Sequence, residues 1–203
     1  MTEATLPSDG RAARAARTRD AIVDACIALV EAGDVRPTAP RIAARAGVSV
    51  RSVFQHFDDL PSLHTAVVQR VVERLSLLVV AVDPALPLEA RLDAFARYRA
   101  ALLEAITPFR RAAAVHGPFA PEIRTAVARG NVFLRCDVEV TFGGELNGLP
   151  TAERRELLDA LAATSSWALW DSLRAEAGDA PEEAQAVLRR TLRALLAGLP
   201  PAG

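Results

Sequence analysis

The sequence contains no lysine: all 24 of its basic residues are arginine. A bias this uniform fits a GC-rich coding sequence, so no single arginine is read as chosen for bidentate contacts. Cysteine is nearly as scarce. Cys26 and Cys136 lie far apart with no CxxC or CxxxH spacing, which argues against a disulfide framework or a zinc finger and leaves two reduced thiols on buried helix faces. Long apolar runs are missing too. The longest aliphatic stretch, Leu77 to Val82, is far short of the ~20 residues that cross a bilayer. No apolar segment follows the N-terminal charges, so no signal peptide and no membrane partner are expected, and a cytoplasmic location is. His56, His64 and His116 have neither HExxH spacing nor a Ser or Cys partner in a strained turn. Gly143-Gly144-Glu145 follows no strand and is no phosphate cradle. No enzyme activity, catalytic residue, metal or cofactor is therefore expected.

The chain has 203 residues, 51% hydrophobic and 24% charged, which suits a folded protein with a sizeable core. Its formal net charge of -1 is silent about partners, but the distribution is not. Between Arg11 and Gln55 there are eight arginines (11, 14, 17, 19, 36, 41, 45, 51) against four acids (Asp20, Asp24, Glu31, Asp34), a local excess of +4. A basic front on a neutral or acidic remainder suggests a polyanion partner.

Periodicity is helical throughout and no strand alternation or internal repeat is found, so the fold class is all-α. Met1 to Gly10 reads as a disordered tail. From Thr18 the apolar spacing turns helical through Ile22, Cys26, Leu29 and Val30, with Gly33 as a stop. Thr38 is placed to cap a short second helix with Pro40 in its first turn. Gly47-Val48-Ser49 forms a tight turn, and a third short helix runs from Val50 to Phe57. Leu60 to Val82 reads as one long helix, Pro87 to Ile106 as another, with prolines 108, 118 and 121 punctuating shorter pieces. Pro121 to Phe142 follows, then a loop from Gly143 to Pro150, and two long helices over Thr151–Ala177 and Pro181–Leu199.

Thr38 to Phe57 has the layout of a helix-turn-helix. Ile42, Ala43 and Ala46 offer an apolar face to Val53 and Phe57, and Gly47 can take the left-handed conformation that ends the first helix. Val50, Arg51, Ser52, Gln55 and His56 are then left on the recognition helix, where arginine suits guanine and glutamine suits adenine or a phosphate. The run PTAPRIAARAGVSVRSVFQHF, preceded by RDAIVDACIALVEAG and followed by DDLPSLHTAVVQRV, resembles the DNA-binding domain of the tetracycline-repressor (TetR) family over about residues 17 to 70. The end of the chain, SSWALWDSLRAEAG and PEEAQAVLRRTLRALLAG, resembles the last two helices of many members. The resemblance implies a homodimer with a three-helix DNA-binding domain and a helical C-terminal domain that holds an effector. It places Thr38 at a phosphate and Ser49, Val50, Arg51 and Ser52 at bases or backbone, with Phe54, Gln55 and His56 further along. Arg17 and Arg41 join this DNA-binding set, and Arg11, Arg14 and Arg17 suit an arm that tracks the backbone or a minor groove. Three positions depart from the family pattern: Phe54 replaces a frequent phosphate-binding tyrosine, Asp59 a frequent lysine, and Arg51 a frequent glycine.

The expected organisation is a flexible basic arm over 1–16, a helix-turn-helix domain over 17–64, and a helical effector-binding and dimerisation domain over 65–203. Phe95, Tyr98, Phe109, Phe133, Trp167 and Trp170, with Arg99 and His116 as polar handles, are candidate linings of a cavity for a small apolar or aromatic effector. Asn131, Phe119 and Phe142 belong to the wider set, and core packing is the alternative for each aromatic. Leu161 and Leu169 on one helix stripe, with Leu188, Leu192 and Leu195 on the last, are candidates for a four-helix dimer interface; burial inside one subunit is the alternative. The function expected is a homodimeric repressor, bound to a double-stranded DNA operator and released by a small molecule. A helical interaction or small-molecule-binding protein with an incidental helix-turn-helix is the competing reading.

Overall fold

The computed structural model describes residues 8–117 and 120–197. Residues 1–7 of the tail expected over Met1–Gly10, the punctuating Pro118, Phe119 and the helix end at Leu199 lie outside these residues. Among the described residues the regular structure is helical: α1 (Ser8–Glu31), α2 (Ala39–Ala46), α3 (Val50–His56), α4 (Leu60–Ser76), α5 (Leu88–His116), α6 (Pro121–Thr141), α7 (Gly143–Leu146), α8 (Thr151–Thr164), α9 (Trp167–Asp171, continued by a π-turn Ser172–Ala177) and α10 (Pro181–Leu196). The chain divides into two compact units. The first takes Met1–Arg74 with Pro108–Thr125, the second Leu75–Thr107 with Ala126–Gly203. The first unit takes in the end of α5 and the start of α6.

Several elements differ from the sequence expectation. α1 begins at Ser8, ahead of Thr18, so Ser8–Gly10 of the expected tail and Arg11 and Arg14 of the expected flexible arm lie on a helix, as does Arg17; the alanine-rich lead-in is a good helix former even without an apolar stripe. α4 ends at Ser76 instead of Val82. Val79, Val80 and Val82 are β-branched and lose rotamer freedom in a helix, and Leu77 is left 84% exposed. Within Leu77–Val82 only Val82 packs into a core. α5 continues through Pro108 to His116. Pro108 has no N–H to give to the Glu104 carbonyl one turn back; the Glu104 side chain, a separate group, accepts from Trp170 Nε1 at 2.8 Å and Arg174 Nε at 2.7 Å. The expected single helix over Thr151–Ala177 is broken at Ser165-Ser166. Ser166 caps α9 by accepting the Leu169 N–H at 3.4 Å.

The second unit has one apolar core. Leu92, Phe95, Leu103, Val138, Phe142, Leu146, Leu161, Trp170, Leu188 and Leu192 all lie in it at 2% exposure or less. Phe95 meets Phe142 and Tyr98 edge-on, with ring centroids 5.2 and 6.3 Å apart, the arrangement aromatic quadrupoles prefer. A charge is built into this core. Arg99 is fully buried, stacks over Phe95 at 4.6 Å, and donates to Asp137 Oδ2 (2.6 Å), the Leu134 carbonyl (3.1 Å) and the Ser165 carbonyl (3.2 Å). Burial lowers the guanidinium's pKa and Asp137 opposes the shift. Burial, with Asp137 beside it, pushes the Tyr98 phenol up to about 12. Arg91 clamps α5 to the end of α6 through the Thr141 carbonyl and to α7 through Glu145. α10 opens with Pro181 in its first turn and with Glu183 accepting the Ala180 N–H at 2.7 Å, and it buries Ala184, Leu188, Leu192 and Leu196 on one stripe.

Removing one partner of a buried ion pair strands the other charge, at a cost of about 3–5 kcal/mol. Asp137→Ala is therefore expected to lower the stability of the second unit by about that amount, measured by urea unfolding. The double change Arg99→Met with Asp137→Leu should recover much of the loss; equal damage from both would contradict this account of Arg99.

Candidate nucleic-acid interface

α1, α2 and α3 pack on one another in the first unit. α1 buries Ile22, Val23, Cys26, Ile27 and Val30, α2 buries Ala39, Ile42 and Ala43, and Val53 and Phe57 close the set from α3 and its C-cap. Leu63, at the start of α4, is also fully buried. Burial, with Asp34 nearby, pushes the Cys26 thiol up to about 12, so Cys26 acts as a small apolar side chain. Cys136 differs from its expected burial: it lies on the exposed face of α6.

The turn between α2 and α3 requires glycine. Gly47 has φ 68° and ψ 29°, and with Val48 it returns N–H groups to the carbonyls of Ala44 (3.3 Å) and Ala43 (3.0 Å), the way a left-handed residue closes a helix. Ser49 then caps α3, its Oγ accepting the Ser52 N–H at 3.1 Å. Thr38 holds the cap position of α2, and its carbonyl accepts from Ile42 at 2.9 Å. Its hydroxyl makes no capping bond and is exposed, so Thr38 differs from the side-chain cap expected of it.

With Val53 and Phe57 buried, α3 turns Val50 (38% exposed), Arg51, Phe54 (48%) and Gln55 to solvent, while Ser52 and His56 are half-buried. Arg51, Phe54 and Gln55 stand at i, i+3 and i+4 and so share one face. Arg17 is exposed on α1. Arg41 is exposed on α2 but paired with Asp34 at 2.8 Å, an engagement the sequence did not reveal.

Four further residues have roles that the sequence did not reveal: Arg19, Asp59, Arg70 and Arg74. Arg19 lies over the Phe57 ring at 4.3 Å and ties α1 to the end of α3. Asp59 caps α4: its Oδ1 accepts the Ser62 N–H at 2.8 Å, and Ser62 Oγ accepts back from the Asp59 N–H at 3.4 Å. The Asp-x-x-Ser spacing was the available signal, and an acid there complements the helix N-terminus. Arg70 of α4 reaches Asp20 (2.7 Å) and Asp24 (3.2 Å) of α1, and Arg74 reaches Asp24 at 2.7 Å. These pairs engage the acids of α1 along α4, and Arg36, Arg45 and Arg51 remain exposed.

The candidate effector residues divide between the units. Phe109 and His116 belong to the first and are half-buried. Phe95, Tyr98, Arg99 and Trp170 are buried together in the second, and Trp167 is half-buried with its Nε1 on Thr107 Oγ1 at 3.1 Å. Phe133 is 42% exposed and Asn131 is exposed, so both turn outward from the core. Of the candidate dimer residues, Leu161, Leu188 and Leu192 are buried inside the single chain at 1% exposure or less; Leu169 and Leu195 are half-buried. Among the described residues no group of three or more His, Cys, Asp or Glu could hold a metal ion, and no helix is long and apolar enough to cross a membrane.

An added Cβ at Gly47 would meet nothing within 4 Å, so its requirement is conformational. Gly47→Ala is expected to destabilise the first unit by about 1–2 kcal/mol and Gly47→Asn by less, read from thermal melting. Equal tolerance of both would remove the constraint.

No protein-family model and no curated protein matches the sequence. Two solved structures match in fold across 91% of this chain and 97% of their own. One is a transcriptional regulator from Rhodococcus sp. Rha1, 21% identical with a TM-score of 0.57. The other, from Mesorhizobium loti MAFF303099, is described as a candidate TetR-family transcriptional regulator and is 22% identical with a TM-score of 0.62. The all-helical architecture of the described residues is thus shared, as a fold, with these two structures.

Proposed function

We propose that this chain is a sequence-specific DNA-binding transcriptional regulator that reads the major groove with α3. The observation that carries the reading is the two-sided character of this helix. Val53 and Phe57 anchor it from behind, while Arg51, Phe54 and Gln55 share its exposed face. A guanidinium and an amide on one short helix are the groups that discriminate guanine and adenine. Thr38, with its hydroxyl unused in capping, suits a phosphate, as do Arg17 and Arg41; Arg41 would have to exchange Asp34 for it. Ser49 contributes through the helix start it holds.

The finer reading is a homodimeric repressor released by a small apolar or aromatic effector. Two recognition helices must sit about one DNA turn apart, roughly 34 Å, so an effector that favours another spacing releases the operator. With Leu161, Leu188 and Leu192 committed to the core, the half-buried Leu169 and Leu195 and the exposed Val187 of the last helices are the proposed dimer surface. Phe95, Tyr98, Arg99, Trp167 and Trp170 are the proposed effector contacts.

Arg51→Ala is expected to weaken binding to the DNA upstream of the chain's own coding sequence by about 1–3 kcal/mol and to relax base preference at one position. Fluorescence anisotropy on wild-type and base-substituted duplexes reads both effects, and unchanged affinity and preference would remove Arg51 as a base reader. A compound that raises the melting temperature through the second unit is expected to lower that DNA affinity; binding left untouched by every such compound would contradict the release mechanism.

A further inference from the structure

We infer that His64 and His116 form a pH-sensitive latch that holds the loop between α1 and α2, and with it the start of the helix-turn-helix. The two imidazoles come from α4 and from the end of α5, with ring centroids 4.9 Å apart and planes tilted by 55°. His116 Nε2 donates to the Val35 carbonyl at 3.0 Å, since a carbonyl can only accept. Val35 follows Asp34, whose carboxylate accepts the Arg36 N–H at 3.0 Å and pairs with Arg41 of α2. The end of α5 thus adds an anchor at Val35 to those that Asp34 makes in the loop from which α2 departs.

The charged surroundings set how the latch responds to acid. His64 faces His116 from α5, Asp59 from its own helix start and Glu122 from α6. Beside His116, Arg124 donates to the Gly117 carbonyl at 2.9 Å. Burial, then the neighbouring His116, lowers the His64 pKa below its ordinary 6.5, and Asp59 and Glu122 oppose the shift without reversing it. Two adjacent imidazoles cannot both carry charge without repulsion. Because the folded value is depressed, the stabilising neutral state of His64 is fully present above the ordinary value. It is lost as pH falls from there through the folded value. Protonation of His64 then places a charge in a partly buried position, and the hydration that charge requires draws the ring away from His116 and loosens the Val35 contact.

The test compares melting temperatures of the full chain at about pH 7.5 and about pH 5.5 for the wild type, His64→Gln and His116→Gln. Glutamine at 116 can still donate to Val35 but does not titrate. The wild-type drop on acidification is expected to exceed that of either variant by about 2–4 °C; equal drops overturn the latch. Proton NMR titration of the histidine ring protons gives an independent reading. The His64 midpoint is expected below that of free histidine and should rise in His116→Gln; a midpoint unmoved by that change overturns the coupling. The consequence for DNA rests on the proposed DNA-binding function. Wild-type affinity for the upstream duplex should fall on acidification more than that of His64→Gln, and an equal fall contradicts the link to the recognition unit. Absence of DNA binding at both pH values would refute the DNA reading, while melting and NMR still decide the latch.

Discussion

Ile42 has no exposed surface, and it lies on the one short helix that packs against both α1 and α3. That burial constrains the rest of the first unit. An eight-residue helix has too few turns to be stable alone, so α2 exists because its Ala39, Ile42 and Ala43 face is covered. Ala43 permits close approach, and the left-handed Gly47 then ends α2 and starts the turn that leads to α3. The direction of α3, and so the face it offers to solvent, follows from this geometry and not from any preference of α3 itself, which is only seven residues long.

The charges are arranged to support the same face. Asp20 and Asp24 pair with Arg70 and Arg74 along α4, Asp34 with Arg41, and Asp59 with the amides that open α4. The exposed ion pairs each contribute little to stability; their larger effect is on the local field. With those acids engaged, the positive potential of Arg36, Arg45 and Arg51 is less compensated than a count along the sequence suggests. The second unit uses arginine differently. Arg99, sealed against Phe95 and bonded to Asp137 and two carbonyls, fixes how α5 meets α6 and the Ser165 break.

The helix-turn-helix was legible in the sequence because local signals agree there: an apolar face at helical spacing, a glycine at the turn and a serine at the next cap. The end of α4, the passage of α5 through Pro108 and the π-turn after α9 were not legible. The last of these carries Arg174, whose Nε reaches the Glu104 carboxylate, a tertiary contact that no local pattern reveals. The apolar stripes of α8 and α10 were read correctly as stripes, but a sequence does not say whether a stripe faces its own chain or a second one. Leu161, Leu188 and Leu192 turn out to face their own. The outward placement of Phe133 and Cys136 was hidden for a related reason: α6 carries apolar residues on both faces, and Leu134 and Val138 take the inner one.

The central claim is that α3 is the surface that meets DNA. Amide chemical-shift mapping of the full chain, titrated with a duplex from its own upstream region, tests it most directly. The account predicts the largest perturbations at Ser49 to His56 and at Thr38, fading as salt is raised, with smaller ones over α8 and α10. Perturbations concentrated away from α3, or none at low salt, would contradict it.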